Sequence, residues 1–99
     1  MTVSEELSAQ RDRILFGTWV HGLPRQPGEA CALFRFVGDS RTLLAMGARA
    51  VLNEAAYRRG IVSVVWWQDE PKRSKQEVLD LFDDAIRLAK EQENAEASA

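Results

Sequence analysis

Cysteine and histidine each occur once in this chain of 99 residues. A lone Cys31 excludes an intrachain disulfide and a cysteine-rich zinc site, and with His21 it gives the single possible nucleophile–base pair. No apolar run approaches the roughly 20 residues needed to span a bilayer. An excess of one charge is missing too: the formal net charge is −2, so the chain as a whole has no pull toward nucleic acid or anionic membrane. The first residues, Met1-Thr-Val-Ser-Glu-Glu-Leu7, are acidic where a signal peptide would be basic, which predicts a cytoplasmic protein. No internal repeat is visible.

What is present is enough apolar material for a core, 45% of the residues. One domain of this size buries roughly 60–65% of its extended surface. Charge is uneven along the chain. Up to Gly60 every cation is an arginine, and they slightly outnumber the acids; beyond it acids dominate. We expect a single globular domain over 1–91 and a frayed polar tail over 92–99.

Punctuation divides the domain into elements. A helix is expected over 4–16, capped by Thr2 or Ser4, with Glu5 and Glu6 at its positive end and Gly17 as its stop. Residues 18–21 are β-leaning, the proline- and glycine-rich 22–28 is a turn, and 30–37 is a short apolar run. Together they read as a small hairpin. A second helix is expected over 40–59, with Leu44, Ala48, Val51, Leu52 and Ala55 facing inward, Leu43 and Gly47 beside them, and Gly60 as its cap. Gly47 and the alanines would let another backbone approach closely. Residues 61–67 read as a strand from their β-branched and aromatic content; the alternative is one helical turn capped by Ser63. Pro71 ends that element in either case. Ser74 and Glu77 stand in capping-box spacing before a last helix over 75–91, whose apolar face is Val78, Leu81, Phe82, Ala85, Ile86 and Ala89. The fold class is therefore α+β and mainly helical, about three helices around a small β element.

The stretch Trp67-Gln-Asp-Glu-Pro-Lys-Arg-Ser-Lys-Gln-Glu-Val78 resembles the closing signature of an uncharacterised family of small actinobacterial and actinophage proteins, Trp-Asn-Asp-x-Pro-Gly-Arg-Thr-x-x-Glu-Val. Upstream, Trp19-Val-His-Gly22 and Gly28-Glu-Ala-Cys31 are similar to that family's Trp-x-x-Gly and Gly-x-x-Cys elements. The chain departs from the pattern at Gln68, Lys72 and Phe34, where the family has asparagine, glycine and glycine. The resemblance implies a fold and a host group, and no activity.

Several residue groups invite a chemical reading. Cys31 and His21 would make a dyad if the hairpin brought them together, yet no motif marks this cysteine as a nucleophile, and a buried structural thiol is the simpler reading. Glu77, Asp80 and Asp84 share a helix face, which a hard metal could use only with ligands from other elements; an Asp83–Arg87 pair and a solvated face account for the charges. Pro24-Arg-Gln-Pro27 has polyproline-ligand spacing but sits in a turn. Arg35, Arg41, Arg49, Arg58 and Arg59 could form a basic strip, and salt bridges to the acidic last helix explain them equally well. Asp69 can hold turn amides, Arg73 can pair with Asp69 or Asp39, and Ser74 caps a helix.

Trp19, Trp66 and Trp67 are the surplus. In a strand, adjacent tryptophans point to opposite faces, so one is core and the other is covered or left as an anchor. The expected function is a small protein-interaction module acting through Trp66, Trp67, Asp69 and Arg73. It would serve as a phage-derived modulator of a host protein or pair with itself, with no cofactor, no membrane and no nucleic acid. The alternatives are a small enzyme using Cys31 and His21, and a weak nucleic-acid accessory protein.

Overall fold

The computed structural model describes residues 2–21, 26, 28–30 and 43–98. Its elements are α1 (Val3–Phe16), β1 (Thr18–Trp19), β2 (Glu29–Ala30), α2 (Leu43–Arg58), α3 (Val64–Asp69) and α4 (Lys75–Ser98). The α+β, mainly helical architecture is as expected. α1, α2 and α4 pack on one another, and the short β pair lies against α1.

α1 begins with a capping box. Glu5 N donates to Thr2 Oγ1 at 3.2 Å, and Thr2 N donates to Glu5 Oε1 at 3.0 Å. Of the two expected caps, Thr2 is used. Ser4 turns inward instead, donating from N (3.0 Å) and Oγ (2.8 Å) to the two carboxylate oxygens of Glu93. α4, a helix expected over 75–91, spans Lys75–Ser98, and Glu93 within it is joined to α1 by this tie.

Gly17 closes α1 in extended backbone, not in the left-handed conformation of a usual glycine stop. What it supplies is space. A Cβ there would lie 2.4 Å from the Gly28 carbonyl oxygen and 2.5 Å from that of Arg13. Gly28 O also accepts from Thr18 N at 2.9 Å, and this close approach lays β2 beside β1. The two strands run parallel, Thr18 opposite Glu29 and Trp19 opposite Ala30. The expected hairpin is therefore overturned: β1 and β2 pair in parallel, with Gly17 packed against Gly28. Residues 31–37 of the expected strand, and 40–42 of the expected helix start, lie outside the described residues. Lys75 Nζ completes the end of α1 by donating to the carbonyls of Leu15 (2.9 Å) and Gly17 (3.1 Å).

α2 ends in a full Schellman motif. Ile61 N donates to Ala56 O and Gly60 N to Tyr57 O, with Gly60 at φ 81°; positive φ is what glycine provides there. Ala45, Ala48, Val51, Leu52, Ala55 and Ala56 are its buried residues, so the inward stripe runs through Ala45 while Leu44 is half-buried. Gly47 meets α1: a Cβ would sit 3.2 Å from Val3 Cγ2.

Residues 64–69 are helical, and the strand expected over 61–67 is corrected in favour of its alternative. Ser63 Oγ accepts from Trp66 N at 3.4 Å, and Ser63 O from Trp67 N at 3.0 Å. Valine and tryptophan favour strands only where a sheet can pack them, and among the described residues the sheet pairs β1 with β2. Glu70, ahead of Pro71, leaves the helix at ψ 130°, as the proline requires.

α4 starts with the expected capping box. Glu77 N donates to Ser74 Oγ at 3.2 Å, and Ser74 N to Glu77 Oε1 at 3.1 Å. The core it organises contains Phe82, Leu81, Val78, Leu7, Ile14 and Leu52, all essentially without solvent contact. Leu79 and Leu88 join the expected apolar face, while Ile86 is half-buried.

Candidate interaction surface

α3 is the least embedded helix. Val64 and Gln68 are its buried residues, and they leave Val65 and Trp66 facing out. In a helix, adjacent residues differ by about 100° rather than 180°, so Trp66 and Trp67 diverge without pointing to opposite sides. Trp66 is 79% exposed and Val62, in the turn before it, is 97% exposed. Trp67 is half-buried and packs against the core.

Trp67 is held by Arg73. The guanidinium carbon lies 4.3 Å from the ring centroid, a cation–π geometry. Arg73 Nε donates to Trp67 O at 3.0 Å, and the outer nitrogens donate to Glu70 Oε2 at 2.8 Å and to Glu77. Arg73 pairs with Glu70 and Glu77, three and four residues away in sequence, and not with the expected Asp69; Asp39, the other expected partner, lies outside the described residues. Arg73 thus joins the end of α3, the proline turn and the first turn of α4. Its guanidinium, followed by the amide and hydroxyl of Ser74, holds the Glu77 carboxyl below its ordinary value. Asp69 is exposed and accepts from Gln68 Nε2 at 3.1 Å.

The inner side of α3 is fixed from β1. His21 Nδ1–H donates to the Gln68 carbonyl at 2.8 Å, and the His21 and Trp19 rings meet edge-on with centroids 4.5 Å apart. His21 therefore serves to dock α3. Cys31 lies outside the described residues, so the Cys31–His21 pair is not placed.

Along α3 and the turn that precedes it the surface opens into a groove of about 640 Å³, walled by Ile61, Val62, Val65, Trp66 and Trp67, with Glu70 at its edge. Its lining is mainly apolar, and the described residues place no cluster of acid, base and nucleophile in it. Val62 and Val65 were absent from the residues picked out by sequence. The signal that finds them is Gly60 followed by Ser63 three residues before Trp66, a helix stop and then a helix cap.

The charged groups elsewhere are largely spoken for. Arg11 pairs with Asp83 at 2.7 Å and Arg59 with Asp84 at 2.6 Å, while Arg58 pairs with Glu54 at 3.1 Å. Arg87 pairs with Asp84, not with the expected Asp83, because Arg11 of α1 already occupies Asp83. Arg58, Arg59 and Arg87 border a cleft of about 270 Å³ together with Asp84 and Glu91, so its charges alternate and no basic strip forms there. Glu77 and Asp84 are engaged by arginines, and Asp80 accepts from Gln76. Among the described residues no group of three potential ligands is placed to hold a metal ion. None of their helices is long and apolar enough to cross a membrane.

Comparison with known proteins places residues 1–88 in one family model, described as a family of unknown function, DUF6197. Neither the curated proteins nor the solved structures gave a match. The matched span runs from the cap of α1 into the fourth turn of α4 and includes the whole groove. The chain belongs to the DUF6197 family.

Proposed function

For a member of a family without an assigned activity, we propose a protein-interaction module that binds a partner through the α3 groove, with Trp66 as its anchor. One observation carries this reading: a tryptophan 79% exposed at the lip of an apolar groove, on a helix whose other side is clamped. Tryptophan dominates interface hot spots because it contributes large apolar area at small entropic cost. The supporting chemistry is pre-organisation. Arg73 and His21 hold α3 in place, so a partner would not have to order it.

The groove takes an apolar side chain of the partner between Val62, Val65 and Trp66, with Glu70 at the rim. Trp67 and Arg73 support the site from behind, and Asp69 stands beside it. The likeness of 67–78 to a signature of actinobacterial and actinophage proteins supports a role as a phage-derived modulator of a host protein, in the cytoplasm. Partner capture by the wild type and by Trp66→Ala, followed by binding measurement on the captured protein, tests the reading. A binding loss of about 2 kcal/mol or more, with an unchanged circular dichroism spectrum, supports it. Equal binding by both proteins refutes it.

A further inference from the structure

α2 is apolar on two faces. Opposite its buried stripe, Leu43, Met46, Ala50, Asn53 and Tyr57 are all exposed, Leu43 by 86% and Tyr57 by 74%. Steps of three and four residues alternate along this series, which is the seam spacing of a coiled coil. The line is separate from the α3 groove and plays no part in the proposed partner binding.

We propose that α2 packs parallel to α2 of a second copy of this chain, forming a weak two-fold dimer. Charge complementarity points to a second copy. Arg49 flanks the seam, is half-buried, and makes no ion pair among the described residues, unlike Arg11, Arg58, Arg59, Arg73 and Arg87. In a parallel pair the residue flanking the seam at this position faces the one five further along the other helix. For Arg49 that residue is Glu54, and the two-fold axis makes the contact twice. Arg58 engages Oε1 of Glu54, which leaves the other oxygen for the incoming cation. Like also meets like along the seam. Asn53 would face its own counterpart, and an amide carries both donor and acceptor, so two copies satisfy each other. Ala50 at the middle lets the backbones close.

The contact is small. From Leu43 to Tyr57 the seam is roughly 21 Å long, and one helix face falls short of the ~800 Å² per partner of a standard interface. The dimer is therefore concentration-dependent. Sedimentation equilibrium of the full chain, from micromolar to millimolar, should show the average mass climbing from monomer toward twice that value. Met46→Glu puts a charge on the seam at an exposed position and should keep the protein monomeric with an unchanged circular dichroism spectrum. Glu54→Arg should weaken the dimer by about tenfold, and adding Arg49→Glu should restore it. Trp66→Ala should leave it intact. A monomer at every concentration overturns the proposal, as does a dimer that survives Met46→Glu or is broken by Trp66→Ala. A charge swap without rescue overturns the parallel register.

Discussion

The side of the molecule built by α1 and α4 and the side built by α2 and α3 are finished differently. On the first, both helices open with capping boxes, Thr2 with Glu5 and Ser74 with Glu77. Lys75 closes the end of α1, Ser4 is tied to Glu93, and Arg11 is paired with Asp83. On the second, Leu43, Met46, Tyr57, Val62, Val65 and Trp66 stand in solvent; among the described residues the other large apolar groups so exposed are Leu15 and Phe16. Stability needs none of that uncovered surface. Ile61, Val64 and Trp67 pack against the core and seat α3 without it. The division teaches that one face holds the fold while the other is left for contact.

Removing core from the first side should have the largest effect. Phe82 is fully buried between the long helices, and Phe82→Ala should cost about 3–5 kcal/mol by chemical denaturation. A smaller loss, about 1 kcal/mol, is expected for Ser74→Ala, because Glu77 N loses its acceptor at the start of α4. A wild-type midpoint for that variant would remove the capping box from the account.

Acid should weaken the same side. Glu93 is held below its ordinary value of 4.5, chiefly by the Ser4 amide and then by its hydroxyl. Glu5 and Glu77 are lowered in the same direction. A carboxylate with a lowered folded pKa binds fewer protons in the folded than in the unfolded chain. Its stabilisation is complete above the unfolded value and is lost as pH falls through the folded one. The denaturation midpoint should therefore be level near neutrality and drop below about pH 4.5. In Glu93→Gln that drop should be shallower. An identical acid profile would show that the α1–α4 tie does not contribute.

The sequence spoke most clearly where local chemistry decides structure. Ser74, Glu77, Pro71 and Gly60 each act within a few residues of themselves, and each does what its type and spacing predict. The uncertain places were those decided at a distance. The β pair runs parallel with Gly17 against Gly28, a contact that no local pattern encodes. Residues 64–69 are helical behind the Ser63 cap, although their composition favours strand. Glu93 near the end of α4 is tied to Ser4 at the far end of the chain, a contact that composition does not encode. For the surface, Trp66 was legible as a surplus aromatic. Val62 and the outer face of α2 were not, because exposure of an apolar residue depends on what fails to cover it. Arg73 was identified, but its partners are Glu70 and Glu77, which its own spacing offered and the reading passed over.

The most direct test of the division between a holding face and a contacting face is the stability of Trp66→Ala. Exposed side chains away from caps and cores change stability within about 0.5 kcal/mol. The account predicts a denaturation midpoint indistinguishable from wild type on that scale. A loss of about 3 kcal/mol or more, the signature of a buried tryptophan, would contradict it.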